Sequence, residues 1–97
     1  MTDGISSERK KDLCKLLASN LPTLRAKANL SQEDLADRLG FSRQTVSAIE
    51  NKNREMQWST FSAIILFFVK NQELYQIMSI MNLLGDDVKE LFYPSTN

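Results

Sequence analysis

The side chains best suited to chemistry in this chain lie between Ser42 and Asn51, where an apolar pair and a polar face share one stretch of helical spacing. At about 100° of rotation per residue, Val46 and Ile49 point inward together. The residues that point away are small or hydrogen-bonding: Gln44, Ser47, Ala48 and Asn51. Glutamine pairs with adenine, serine bonds several bases, and Arg43 on the flank has the reach for a guanine or a phosphate. This face therefore suits the reading of base edges.

Two short helices joined by a tight turn are predicted to position this face. Ser31 is an N-cap candidate, and Asp34 stands where a capping box places its acidic partner. Three apolar residues then share one helical face: Leu35, Ala36 and Leu39. Gly40 suits the left-handed position that ends a helix, and Ser42 is the N-cap candidate of the next one. The turn therefore lies between Leu39 and Ser42.

The stretch resembles the lambda-repressor-like helix-turn-helix regulators, which include Cro-like and Xre-like proteins. The matching residues are Leu24, Arg25, Leu30, Ser31, Gln32, Leu35, Ala36, Leu39, Gly40, Ser42, Thr45, Val46, Ile49, Glu50 and Asn51. The resemblance implies that the helix over residues 42–51 is a recognition helix in the major groove, and that Gln32 bonds a phosphate. It also implies a structural ion pair between Arg25 and Glu50. The residues expected to face DNA in this stretch are Gln32, Ser42, Arg43, Gln44, Thr45, Ser47 and Asn51.

The loop after the motif departs from the family pattern. Lys52 stands where glycine usually follows Glu-Asn, so we expect the left-handed position to fall on Asn51 or Asn53. Lys52 and Arg54 suit phosphate contacts, a role that the family gives to this loop. The alternative is a solvated basic loop without a ligand.

The composition weighs against catalysis and metal binding. A chain of 97 residues has no His and one cysteine, Cys14, so a His base, a Cys/His pair, a Cys/His metal cluster and an internal disulfide are all excluded. We therefore predict no catalytic residue, no metal site and no cofactor. With no signal peptide and no apolar run of membrane-spanning length, we expect a cytoplasmic protein without membrane contact.

The net charge of zero conceals an uneven distribution. Residues 1–54 hold ten Lys and Arg against seven Asp and Glu, and residues 55–97 hold two against five. The basic half contains the helix-turn-helix, which favours a nucleic-acid partner of moderate, salt-sensitive affinity.

The fold class predicted is all-α, a compact bundle of about five to seven helices in one domain over residues 1–97. The helix-turn-helix core is expected at about 21–69, with an added N-terminal helix at about 6–20 and a helical extension at about 71–93. Met1 to Ile5 is expected to be frayed. Pro22 predicts a new helix from about Leu21, and a kinked continuous helix is the alternative.

The C-terminal half is more apolar than a small bundle needs. The helix from Trp58 is apolar nearly all round between Ile64 and Val69. A second helix is expected from the N-cap Asn71 to about Leu84, ended by Gly85. A last short helix follows, capped by Asp86 or Asp87 and stopped by Pro94. The residues assigned to a dimer or partner interface are Leu66, Phe67, Tyr75, Met78 and Met81.

These patterns predict a sequence-specific regulator that binds double-stranded DNA, acts as a repressor and works as a homodimer on a palindromic operator. The surplus apolar surface motivates the dimer. The alternative is an antitoxin-like or accessory module that binds a protein partner through the C-terminal helices.

Overall fold

The computed structural model describes residues 4–93, and these residues form six helices. The helices are α1 (Ser7–Lys27), α2 (Gln32–Leu39), α3 (Arg43–Glu50), α4 (Trp58–Phe68), α5 (Gln72–Ile80) and α6 (Asp86–Lys89). No strand occurs between residues 4 and 93, so the all-α prediction is confirmed. Residues 1–3 and Pro94 lie outside the described residues. The expected fraying is wrong at Ile5, which is buried.

The first helix is continuous and carries Pro22 in its interior. The predicted start of a new helix near Leu21 is therefore wrong, and the alternative of one continuous helix is the one that forms. The buried leucines of α1 run on both sides of the proline: Leu13, Leu17, Leu21 and Leu24. Pro22 is exposed. The packing of this stripe outweighs the roughly 3 kcal/mol that an interior proline costs.

The helix-turn-helix forms as the capping residues predict. The Ser31 hydroxyl accepts from the Asp34 amide at 3.0 Å, and the Asp34 carboxylate accepts from the Ser31 amide at 3.0 Å, which completes a capping box. The hydrogen bond from the Ser31 amide to the Asp34 carboxylate, with a smaller contribution from the Ser31 side chain, holds the pKa of Asp34 below its ordinary value. Gly40 is left-handed at φ 76°, and the Ser42 hydroxyl caps α3 through the Thr45 amide. α2 packs most extensively against α3.

The C-terminal elements end and begin at other residues than the sequence predicts. Asn71 is the N-cap of α5, as expected, but α5 ends at Ile80 and not at Leu84. Asn82 is left-handed at φ 65°, which lets the Leu83 amide donate to the Met78 carbonyl and close the helix.

The roles predicted for the residues around the last turn are also wrong. Gly85 does not end α5, because it precedes α6 as the N-cap residue. Asp86 and Asp87 lie in the first turn of α6, where their charge favours the helix N-terminus, and neither is the cap.

The hydrophobic core joins α1, the helix-turn-helix and the C-terminal helices. α1 packs against α3 and α4, and α2 also contacts α4. The largest fully buried side chains include Phe61 and Phe68 of α4, Met78 of α5 and Leu83. The apolar surplus of the C-terminal half is thus mostly core. The large apolar side chains left exposed among residues 4–93 are Leu66, Ile80 and Tyr93.

An ion pair joins the two ends of the described chain. The Arg9 guanidinium donates to both Asp87 carboxylate oxygens, at 2.9 Å from Nε and 3.3 Å from a terminal nitrogen. The pair raises the pKa of Arg9 and lowers the pKa of Asp87. It ties the start of α1 to the first turn of α6. None of the helices between residues 4 and 93 has the length and apolarity to cross a bilayer.

Candidate nucleic-acid interface

The outward face of α3 carries polar side chains that are not engaged by any other part of residues 4–93. Arg43 and Gln44 are exposed, and Ser47 is half-buried. Among residues 4–93, no hydrogen bond or ion pair engages any of these three side chains. Their hydrogen-bonding groups are therefore available to a ligand. Ala48 lies beside them and is half-buried, and Asn51 at the C-cap is exposed.

The first turn of α3 is held by its own hydroxyl groups. The Ser42 and Thr45 hydroxyls lie 3.0 Å apart, and the Ser42 oxygen also accepts from the Thr45 amide at 3.1 Å. The Arg54 guanidinium donates to the Thr45 hydroxyl at 3.4 Å. These two hydroxyls therefore have a structural task in addition to the DNA contacts predicted for them. The Arg54 contact is one that the sequence did not reveal, since the two residues are separated by a loop.

The end of α3 is clamped by the Glu50 carboxylate. Arg25 donates to both of its oxygens, at 2.6 Å from Nε and 2.9 Å from a terminal nitrogen. The same guanidinium donates to the Leu30 carbonyl at 2.9 Å. The ion pair implied by the family resemblance is thus present, with 17% of the Arg25 and 7% of the Glu50 side chain exposed. The hydrogen bonds to Glu50 raise the pKa of Arg25.

Gln32 takes part in this clamp, which the sequence did not reveal. Its amide nitrogen donates to Glu50 Oε1 at 2.9 Å. A glutamine amide has a second N–H and a carbonyl oxygen, so the bond leaves donor and acceptor capacity at the start of α2. The phosphate contact of Gln32 stays a prediction, and its side chain is already oriented by the carboxylate that anchors α3.

The loop after α3 reverses its direction at Lys52 and not at either asparagine. Lys52 has a φ of 63°, so the prediction of Asn51 or Asn53 is wrong. The Lys52 amide donates to the Ile49 carbonyl, and the Asn53 amide donates to the Ala48 carbonyl. This pair of bonds requires a left-handed residue at the position just after the C-cap, whatever its side chain. Lys52 therefore occupies the place of the family's glycine, and its side chain is exposed.

The residues assigned to a dimer or partner interface differ in how deeply they are buried. Met78 is fully buried, so its assignment to an interface is wrong and it belongs to the core. Phe67, Tyr75 and Met81 are half-buried and pack against the core, and Leu66 is 43% exposed. The surplus apolar surface that motivated the dimer is therefore much smaller than the sequence suggested.

A comparison with protein families matches the helix-turn-helix segment. Residues 23–56 match the family model described as helix-turn-helix. The matched range covers the end of α1, both helices of the motif and the loop that contains Lys52 and Arg54. Searches of curated proteins and of solved structures gave no match. The match therefore supports a helix-turn-helix of the lambda-repressor-like kind over residues 23–56, a motif of DNA-binding regulators.

Proposed function

We propose that this chain is a sequence-specific transcriptional regulator that inserts α3 into the major groove of double-stranded DNA. The observation that carries the proposal is the free polar face of α3, where Arg43, Gln44 and Ser47 have no partner among the described residues. Arginine and glutamine form paired hydrogen bonds with guanine and adenine, and serine bonds several bases. A face of this kind discriminates base pairs by donor and acceptor pattern.

Rigid support of the recognition helix favours this role. The N-terminal turn of α3 is fixed by the Ser42 cap, and its C-terminal turn is fixed by the Glu50 clamp. Recognition by side chains on a fixed helix loses less conformational entropy than recognition by a mobile loop. The clamp also joins α3 to the start of α2 through Gln32, so a phosphate contact there sets the position of α3.

Phosphate contacts are assigned to the start of α2 and to the loop after α3. Gln32 lies in the first turn of α2, where backbone N–H groups and the helix dipole favour an anion. Lys52 and Arg54 supply positive charge beyond the other end of α3. These contacts fix the register of the protein on the duplex and carry no sequence information themselves.

The finer assignment is a repressor that binds a palindromic operator as a homodimer. One recognition helix reads a single half-site, and a two-fold dimer doubles the contacts with half-sites about one helical turn apart. The exposed Leu66 and Ile80 side chains supply apolar surface for self-association. Repression follows from operator occupancy, because a bound dimer excludes other proteins from the same DNA.

A selection of bound duplexes from a random DNA library tests the proposal. We expect an enriched consensus of two inverted half-sites, and sedimentation of the DNA-free protein as a dimer at micromolar concentration. A single unrepeated half-site with a monomer in sedimentation would retain DNA binding and reject the dimer. No enrichment would reject sequence-specific binding.

The second candidate is an antitoxin-like or accessory module that binds a protein through its C-terminal helices. The observation that favours it is Ile80, which is 81% exposed on α5. If the chain binds DNA as a monomer, the substitution Ile80→Ser should abolish the interaction with the protein partner and leave DNA affinity within twofold of the wild type. A loss of operator affinity with this substitution would instead assign Ile80 to the DNA-bound dimer.

A further inference from the structure

A cavity of about 310 Å³ lies between the first half of α1 and the end of α3 with its following loop. Its apolar wall is formed by Cys14, Ala18, Ile49 and Met56. All four belong to the hydrophobic core, and burial raises the pKa of the Cys14 thiol, which keeps it neutral. The cavity is outside the DNA-reading face described above, and its α1 side lies outside the segment that matches the family.

The charged side chains that line this cavity are mostly cationic. They are Lys11 and Lys15 from α1, and Lys52, Arg54 and Glu55 from the loop. Within residues 4–93, no hydrogen bond or ion pair engages the ammonium groups of Lys11, Lys15 and Lys52. Four cations and one carboxylate surround an apolar wall. A ligand that complements this site therefore has both a negative charge and an apolar body.

We propose that this cavity binds an amphipathic anion, a small molecule in which a carboxylate or sulfonate is attached to an apolar chain or ring. The volume lies in the range of ligand pockets, which are typically about 300–1,000 Å³, mainly apolar and provided with a few polar groups. The apolar body packs against Ala18, Ile49 and Met56, and the anionic group lies among the lysines. Charge complementarity thus selects the anion, and burial of apolar surface supplies much of the affinity.

Other ligand classes fit the cavity less well. An inorganic phosphate or a DNA phosphate matches the cations but makes no use of the apolar wall. A neutral apolar molecule matches the wall but leaves the four cations with the Glu55 carboxylate as their one counter-charge in the cavity. The combination of both surfaces in one cavity is what favours a ligand that has both properties.

Binding of this anion is expected to lower DNA affinity, and this regulatory part rests on the proposed function. Lys52 and Arg54 line the cavity and are also the phosphate contacts assigned to the loop. An anion held there neutralises positive charge that DNA would otherwise use. Ile49 is on the cavity wall and in α3, so the ligand contacts the recognition helix directly.

Titration of the full chain with decanoate and with decanol tests the binding part without DNA. We expect one decanoate per chain, measured by calorimetry, and about tenfold weaker binding of decanol, which corresponds to the loss of one charge-assisted contact. Amide chemical-shift changes should map to Ala18, Ile49 and Met56. Equal affinities for the two probes, shifts elsewhere, or no binding of decanoate would overturn the proposal.

Two variants and a control separate the cavity from the fold and from DNA. The double substitution Lys11→Gln and Lys15→Gln changes exposed residues of α1 and should weaken decanoate about tenfold while decanol affinity stays the same. Ala18→Leu should fill the cavity and weaken both probes. Lys27→Gln, an exposed lysine of α1 outside the cavity, should change neither. Unchanged decanoate affinity in the double variant would overturn the proposal.

The effect of decanoate on DNA binding is measured in a separate experiment. With the selected operator, saturating decanoate should weaken binding of the wild type and leave the double Lys variant nearly unaffected. If the wild type selects no DNA sequence, the proposed function fails while the decanoate titration still stands. If the double variant weakens DNA binding and the wild type does not bind decanoate, the cations are a DNA-backbone surface and the anion proposal is wrong.

Discussion

The segment that matches the family and the helices that flank it are held by different kinds of interaction. Within residues 23–56 the geometry depends on directional features, which are a capping box, a left-handed glycine and the Arg25–Glu50 ion pair. In the flanking helices it depends on apolar packing around α1 and α4, and the ion pair there, Arg9–Asp87, is 42% and 35% exposed. Hydrogen bonds and a required backbone conformation fix directions and distances, whereas apolar packing is non-directional. The face of α3 that we propose to read base edges is thus held in place by directional interactions.

The comparison also separates stability from orientation. The flanking helices supply most of the large buried side chains, so they contribute most of the hydrophobic stabilisation of the fold. The family segment contributes fewer buried residues and positions the side chains that we propose to face DNA. Substitutions in the two regions should therefore differ in the size of their effect and in the property that they change.

The largest effect is expected from the apolar core of the flanking helices. Phe61→Ala removes a fully buried ring of α4 that stacks on Trp58 at 4.6 Å between ring centroids. Such truncations cost about 3–5 kcal/mol in the free energy of unfolding, because transfer and cavity terms add. Urea denaturation checks this, with Phe67→Ala at a half-buried position as the matched control. Equal losses in the two variants would contradict the assignment of the core.

The next effect is expected from the polar clamp of the family segment. Glu50→Ala removes the carboxylate that Arg25 and Gln32 both use, and it leaves a mostly buried guanidinium without its counter-charge. Breaking a buried pair from one side costs about 3 kcal/mol. Glu33→Ala, at an exposed site of α2, is the control and should change stability little. Similar stability of the two variants would show that the clamp only orients α3.

A smaller effect is expected at the left-handed residues of the family segment. Gly40 has a φ of 76°, and a Cβ added there meets nothing within 4 Å, so Gly40→Ala reports backbone strain alone. The expected loss of unfolding free energy is about 1 kcal/mol. Lys52→Gly is the opposite test, since it should relieve strain at φ 63° and leave stability equal or slightly higher. A clear loss with Lys52→Gly would mean that its side chain stabilises the loop.

The smallest effect is expected from the exposed ion pair of the flanking helices. Asp87→Asn should cost about 0.2–1 kcal/mol at neutral pH, in keeping with the exposure of Arg9 and Asp87. Because Arg9 lowers the pKa of Asp87 in the folded state, the pair stabilises above the unfolded-state pKa, and this contribution disappears as the pH falls through the folded-state pKa.

Urea denaturation at neutral and acid pH checks the pH dependence. The difference in unfolding free energy between wild type and Asp87→Asn should shrink toward zero in acid. A difference that is independent of pH would assign the effect to packing. Asp34→Asn is a useful companion, because the pKa of Asp34 is also lowered, by the Ser31 cap and not by an arginine.

Local signals predicted the family segment well and the helix ends less well. The capping box, Gly40 and the Ser42 cap each depend on a few adjacent residues, and each was read from the sequence. The left-handed residues Lys52 and Asn82 end their helices through bonds between backbone groups, which any side chain permits at some cost in strain. The residue types alone do not distinguish Lys52 from its asparagine neighbours.

Interactions between distant parts of the chain were the least predictable. The Arg9–Asp87 pair, the Gln32–Glu50 bond and the cationic cavity depend on tertiary packing, which single-residue patterns do not contain. The continuity of α1 through Pro22 was an open alternative, decided by a leucine stripe that extends past the proline. The burial of Met78 reduced an interface inferred from apolarity, because periodicity shows which residues share a face and not what covers it.

The measurement that tests the central claim most directly is a double-mutant cycle between α3 and the selected operator. Gln44→Ala and a change of the base pair assigned to Gln44 are combined, and the four affinities are compared at one salt concentration. If Gln44 reads that base pair, each single change costs about 1–3 kcal/mol in binding and the double change costs little more than one of them. Additive losses, or an unchanged affinity of Gln44→Ala, would contradict base reading by this face of α3.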